Sequence, residues 1–203
     1  AKSFLMKLVQ TARKLCQHVY EKYPYDGKTQ VTIDSETGSI ESVVCSFQNA
    51  PSVDLLERVK EQIPDAKEYH INPTGDWDIG GFDADAGLTG RKIIVDNYGP
   101  EVAVGGGAFS GKDPSKVDRS GAYISRRIAV DTLEANPDAN EVLVKVAYAI
   151  GHPEALMAVA IVDGVPQDVT GYDLTPNGIK SFLKLETPVY GKTAEWGLSL
   201  IHI

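Results

Sequence analysis

Gly105-Gly106-Gly107-Ala108-Phe109-Ser110-Gly111-Lys112-Asp113-Pro114-Ser115-Lys116-Val117-Asp118-Arg119 runs a glycine-rich loop into the start of a helix, with cations where helices usually carry acids. Asp113 reads as the N-cap and Pro114 as the first helical residue. The positive end of a helix disfavours cations, yet Lys112, Lys116 and Arg119 gather there. A polyanion resolves the conflict: loop amides, the helix end and the lysines would all face phosphate. Glycine runs alone are common in surface loops; the capped helix with three cations sets this one apart. The segment also satisfies G-x-x-x-x-G-K from Gly106 to Lys112. Asp113, however, stands where a P-loop needs Ser or Thr for magnesium, and no strand enters the loop through a tight turn.

Outward from this segment, the pattern is mixed. Leu5, Leu8, Val9, Ala12, Leu15, Cys16 and Val19 give residues 4–22 one apolar helical face. Strands are expected at 28–34 and 40–48, joined by a turn at Ser35-Glu36-Thr37-Gly38. Ser52 is read as the cap of a helix reaching about Gln62, followed by a strand at 67–71. Residues 72–90 are rich in glycine and aspartate and read as a ligand-facing linker between two lobes. Beyond it come a strand at 92–96, a helix at 114–135 burying Val117, Gly121, Ile124 and Ile128, strands at 141–149 and 156–163, and a helix at 176–184 opened by Thr175 and Pro176. The two halves share a crude helix-and-two-strand pattern, so the fold class reads as α+β.

The 203 residues can bury a substantial core. No apolar run approaches the ~20 residues of a membrane helix, and the N-terminus lacks the pattern of a secretory leader. A net charge of −8 argues against coating nucleic acid. Cys16 and Cys45 lack metal-ligand spacing and read as free thiols of a reducing compartment, so a cytoplasmic location is expected.

Four further features carry chemistry. Asp85-Ala86-Gly87-Leu88-Thr89-Gly90-Arg91-Lys92 sets an acid, two glycines and two adjacent cations side by side. Arg91 offers a planar fork and Lys92 a point charge, suited to different phosphate oxygens, against the alternative of a solvated turn. Asp26-Gly27-Lys28 is a turn leading into a strand, and sequence chemistry alone favours an exposed hairpin-type turn. Trp77 could stack on a base or plug the space between lobes. Asp118, near Lys116 and Asp113, could hold magnesium with substrate phosphates or simply pair within the helix.

Together these stretches resemble the S-adenosylmethionine synthetase (methionine adenosyltransferase) family, from about residue 2 to Gly197. Asp85 through Asp96 and Gly105 through Arg119 resemble its two signature segments. Asn72-Pro73-Thr74-Gly75, Asp26 through Thr32 and Tyr148-Ala149-Ile150-Gly151 fit as well. The resemblance implies that methionine sulfur attacks C5′ of ATP, displacing triphosphate that is then cleaved to pyrophosphate and phosphate. It implies magnesium and potassium as cofactors and a homodimer or dimer of dimers, with no nucleic-acid or membrane partner. Arg91, Lys92 and Lys112 would hold triphosphate. Asp26, Gly27, Lys28, Asp76, Trp77, Asp85 and Ala108 would line the ATP site. Asp85 and Lys116 would contact methionine, and Asp118 would face magnesium. The catalytic set is thus Asp85, Arg91, Lys92, Lys112 and Lys116. Trp77 stands where the family usually has Phe, and Asp76 where a basic residue is common. Gly81-Phe82-Asp83-Ala84-Asp85 departs from Gly-Pro-x-Gly-Asp.

The resemblance further implies two β-α-β-type lobes with mixed or antiparallel sheets and helices packed on one face, with residues 1–79 a central domain lacking its start and 80–203 a C-terminal domain. The family's N-terminal segment with Gly-His-Pro-Asp-Lys is absent. Leu198 through Ile203 reads like translated adapter sequence. The chain is therefore expected to be a fragment without full synthetase activity, which robust product formation from ATP and methionine would refute. The alternatives are a non-catalytic nucleotide-binding partner of a complete subunit and a P-loop-like phosphotransferase.

Overall fold

The computed structural model describes residues 4–87, 90, 92–99, 102–109, 111–187 and 190–193. Contacts divide the chain into two compact units, Phe4–Leu88 and the chain from Thr89 onward.

In the first unit, α1 (Phe4–Tyr20), β1 (Gly27–Ile33), β2 (Ile40–Phe47), α2 (Ser52–Gln62) and β3 (Glu68–Ile71) follow in order. β1 and β2 form an antiparallel hairpin, and α2 is the crossover that sets β3 parallel to β2. Alternation in β2 sends Val43, Cys45 and Phe47 inward. They meet Leu15 and Val19 of α1 and Leu55 and Val59 of α2 in one core. Complete burial of each such side chain stabilises by about 1.5–3 kcal/mol. Burial pushes the Cys45 thiol up to about 12, so it is a packing residue rather than a nucleophile. Asp34 shapes the hairpin: its carboxylate accepts the Glu36 and Thr37 amides at 2.9 and 2.7 Å.

Ser52 is not the cap of α2. Pro51 occupies that position, without a side-chain hydrogen bond. Asp76, distant in sequence, does the capping: its Oδ1 accepts the Ser52 amide at 3.1 Å and the Ser52 hydroxyl. A carboxylate there also complements the positive helix end.

The second unit holds α3 (Ile93–Asp96), α4 (Val117–Ala135), β4 (Val142–Ala147), β5 (Met157–Val162), β6 (Val165–Asp168), α5 (Pro176–Phe182) and α6 (Tyr190–Thr193). β4, β5 and β6 form an antiparallel meander. α4 packs on this sheet, and Tyr123, Ile124 and Ile128 meet Ile179 of α5 and Leu185 in the core. Gly121, Ile124 and Ile128 are buried as expected, while Val117 is only half-buried. Thr175 caps α5, accepting the Gly178 amide at 3.0 Å.

Three local expectations are corrected. The segment expected as a strand at 92–96 is one turn of helix; a short apolar run does not by itself distinguish the two. α4 begins at Val117, because the Asp113 carboxylate accepts the Ser115 amide at 2.8 Å and closes a local turn instead of capping. β6 was not expected. Asp163 and Gly164, both at positive φ (46° and 84°), make the tight turn into it, a signal present in the sequence.

Asp34 and Asp76 are held below the usual carboxylate range. For Asp34 the chief cause is the Thr37 amide, and for Asp76 it is the Ser52 hydroxyl. Both therefore bind protons more weakly folded than unfolded. Their stabilisation is complete above the ordinary value of about 3.9 and is lost as pH falls through the lower folded values. The melting temperature should fall below about pH 4, and fall less in Asp76→Asn. Identical profiles would remove Asp76 from the account. No helix among the described residues is long and apolar enough to cross a membrane.

Candidate functional site

In the first unit, four of the sequence-derived candidates come together where β1 and β2 pair. Gly27 sits opposite Phe47 and Lys28 opposite Ser46. The Ser46 hydroxyl accepts the Trp77 indole N–H at 2.9 Å, and the Asn49 amide donates to the Trp77 carbonyl at 2.9 Å. Trp77 is thereby fixed beside the base of Lys28. Asp26 reaches into the same loop, its Oδ2 accepting the Gly81 amide at 2.9 Å. Gly80 permits this approach: a Cβ there would lie 2.5 Å from Gln48 Oε1, 2.8 Å from Trp77 Cζ3 and 3.0 Å from Asp26 Cβ.

Asp76 and Asp85 are placed differently. The Asp76 carboxylate is engaged by Ser52 and by the Asn72 amide group. Asp85 is exposed and accepts the Gly87 amide at 2.9 Å.

Two residues of this neighbourhood carried no role in the sequence reading. Gln48 links the loop to the strands, donating to the Asp78 carbonyl at 2.8 Å while its backbone amide donates to Asp26 at 2.9 Å. Asn72 is 3% exposed at a left-handed φ of 40°. Its Oδ1 accepts the Phe47 amide at 3.1 Å and its Nδ2 donates to Ala50 at 2.9 Å and Asp76 at 3.1 Å. The Asn72-Pro73-Thr74-Gly75 motif marked the place; only the fold reveals the hub. Asn72→Ala should destabilise by about 2–4 kcal/mol, because it strands a buried amide and strains the backbone. A denaturant midpoint equal to that of the unaltered chain would disprove this.

In the second unit, the glycine loop rests on the first turn of α4. A Cβ at Gly107 would overlap the Asp118 carboxyl group, so the loop backbone closes directly over that carboxylate. The same carboxylate pairs with the Lys112 ammonium. Arg119 donates to the Lys112 carbonyl at 2.9 Å. Ala108 follows Gly107 and is half-buried. Lys116 immediately precedes α4 with its side chain exposed, and Lys92 is exposed ahead of α3. Arg91 and residues 198–203 lie outside the described residues.

Lys112 and Asp118 are thus paired at one helix end under Gly107, with Ala108 and Lys116 close by in sequence. The arrangement offers loop amides, the Lys112 ammonium and one carboxylate, groups that suit a phosphate chain carrying a divalent ion. Among the described residues no three metal-ligating side chains cluster. Magnesium commonly takes one or two protein carboxylates and fills its shell with phosphate and water, so Asp118 alone fits that pattern. No residue described in either unit stands out as a potassium ligand.

The sequence model described as "S-adenosylmethionine synthetase, C-terminal domain" matches residues 79–199. An S-adenosylmethionine synthase of a Nitratiruptor species is 45% identical over 197 residues, covering 85% of this chain and 51% of the relative. The Pelagibacter ubique synthase is 42% identical over 198 residues, with coverage of 85% and 51%. A solved structure described as an unusual S-adenosylmethionine synthetase from Campylobacter jejuni superposes with a TM-score of 0.78 at 31% identity. That match covers 94% of this chain and 61% of the Campylobacter chain. The chain spans about half the length of the curated relatives it matches.

Proposed function

The chain belongs to the S-adenosylmethionine synthetase family, and from that premise we propose that it supplies the central and C-terminal parts of a methionine adenosyltransferase. The central domain would end near residue 79 and the C-terminal domain begin at residue 80. The observation that carries the reading is the glycine loop closed over Asp118 with Lys112 paired beside it.

The reaction needs no protein nucleophile, because the methionine sulfur is itself nucleophilic. Its attack on C5′ of ATP forms the S–C bond as the C5′–O bond breaks and the electron pair leaves with triphosphate. Positioning and electrostatics supply the catalysis. Arg91, Lys92 and Lys112 hold the departing triphosphate as its charge grows. Trp77 stacks on adenine, with Asp26, Gly27 and Lys28 beside it and Ala108 lining the nucleotide. Asp76 lines the same nucleotide site and anchors the loop that carries Trp77. Lys116 binds the methionine carboxylate, and Asp85 faces its ammonium and the sulfonium that forms. Asp118 would hold magnesium, which would supply neutralisation of the phosphate charge. Potassium, a homodimeric or doubly dimeric assembly and a cytoplasmic setting complete the proposal. The local placement of Asp26, Lys28 and Trp77, and of Lys112 and Asp118, supports it.

Calorimetric titration tests it. The chain should bind ATP, inorganic tripolyphosphate and S-adenosylmethionine, the first two more tightly with magnesium. Lys116→Ala should weaken S-adenosylmethionine about 10-fold, one lost charge-assisted contact, and leave tripolyphosphate within about twofold. A folded chain that binds none of the three would end the reading.

A further inference from the structure

Arg119 is the cation of the opening segment that no role above absorbs. It lies on the first turn of α4, yet its guanidinium turns back to the loop. One arm donates to the Lys112 carbonyl at 2.9 Å. The guanidinium carbon stands 4.1 Å from the Tyr190 ring centroid on α6. Its Nε is closed off from solvent with no hydrogen-bond partner among the described residues.

The platform is itself held. The Tyr190 ring meets Tyr123 edge-on at 5.9 Å and 79°, and its hydroxyl donates to the Leu185 carbonyl. Tyr123, buried on α4 one turn beyond Arg119, shares a 2.6 Å hydrogen bond with the Thr193 hydroxyl. Tyr190 of α6, braced by Tyr123 of α4, therefore holds the Arg119 guanidinium, which in turn holds the backbone of Lys112.

We infer that Arg119 is a positioning residue: clamped on Tyr190, it fixes the backbone at Lys112 so that the ammonium group is presented to phosphate. The role requires a planar cation that stacks by its face while donating from its edge. Lysine has no such geometry. The inference rests on the proposed phosphate-binding role of Lys112.

Calorimetry with magnesium tripolyphosphate tests it, using the full chain and the variants Arg119→Lys, Lys112→Ala and the double substitution. Arg119→Lys should weaken binding about 10-fold although it keeps the charge. In the Lys112→Ala background it should change affinity by less than about twofold, because coupled groups are not additive. Two full, additive losses would make Arg119 an independent phosphate ligand and overturn the inference; so would unchanged affinity in Arg119→Lys. If that variant unfolds at the assay temperature, Tyr190→Leu, which removes the stack and keeps the hydrogen bond, is put through the same cycle and judged by the same outcomes.

Amide hydrogen exchange across residues 105–112 separates this inference from the phosphate reading. Exchange there should quicken in Arg119→Lys without any ligand. Quickened exchange in a chain that never binds tripolyphosphate would sink the phosphate reading and keep the clamp; unchanged exchange would sink the clamp alone.

Discussion

Lys112→Ala is expected to lower affinity for magnesium tripolyphosphate about 100-fold, two lost charge-assisted contacts at about 1.5 kcal/mol each. The melting temperature should barely move. Lys112 pairs with Asp118 across a surface where the two side chains are 32% and 48% exposed. Pairs of that kind contribute less than about 1 kcal/mol. The large effect on binding and the small one on folding come from the same geometry: the ammonium group is held at the loop mouth, outside the core. Lys112→Arg keeps the charge but alters its shape, and should recover only part of the loss. A Lys112→Ala chain that bound tripolyphosphate as tightly as the unaltered one would show that the loop is not the phosphate cradle. Gly107→Ala probes the site from its other side. Its methyl group would collide with the Asp118 carboxyl, so the Lys112–Asp118 pair should break and magnesium should no longer improve binding.

Gly27→Ala is expected to destabilise the first unit strongly, because its methyl group would meet a buried aromatic ring. A Cβ there would lie 2.5, 2.6 and 2.7 Å from Cδ1, Cγ and Cε1 of Phe47. Phe47 is 1% exposed and packs among Leu15, Leu55 and Val59, so its ring cannot retreat. Overpacking of this kind costs about 1–3 kcal/mol, and the upper end applies where the obstacle is a buried ring. The denaturant midpoint should fall with little change in slope. Phe47→Leu combined with Gly27→Ala should recover part of the loss, because the smaller side chain vacates the space the methyl needs. If Gly27→Ala unfolds at the same denaturant concentration as the unaltered chain, Gly27 is required for something other than packing.

These two residues also mark how far the sequence could be read. Lys112 was legible because its signal is local: glycines, a turn-forming Asp-Pro pair and cations within fifteen consecutive residues. Gly27 was legible only as part of a turn. Its contact partner is twenty positions away, and nothing near Gly27 announces an aromatic ring beneath it. Ser52 and Asp113 were misread for a related reason. Both are good capping residue types in good places, but Pro51 and a local Ser115 contact changed the geometry. The vacant cap of α2 was filled by Asp76, which no local rule would select.

By itself the sequence determined the α+β class, the hairpin and crossover order of the first unit, and the family to which the chain belongs. Periodicity, turn chemistry and long signature segments are all local in the chain. Only the tertiary structure decided that Asn72 and Asp76 secure the fold, that Gly27 and Gly107 are small because Phe47 and Asp118 press against them, and that Arg119 faces Lys112 rather than solvent. Each of those is a contact between segments that the backbone brings together, and close packing and hydrogen-bond satisfaction act on distance in space, not on distance along the chain.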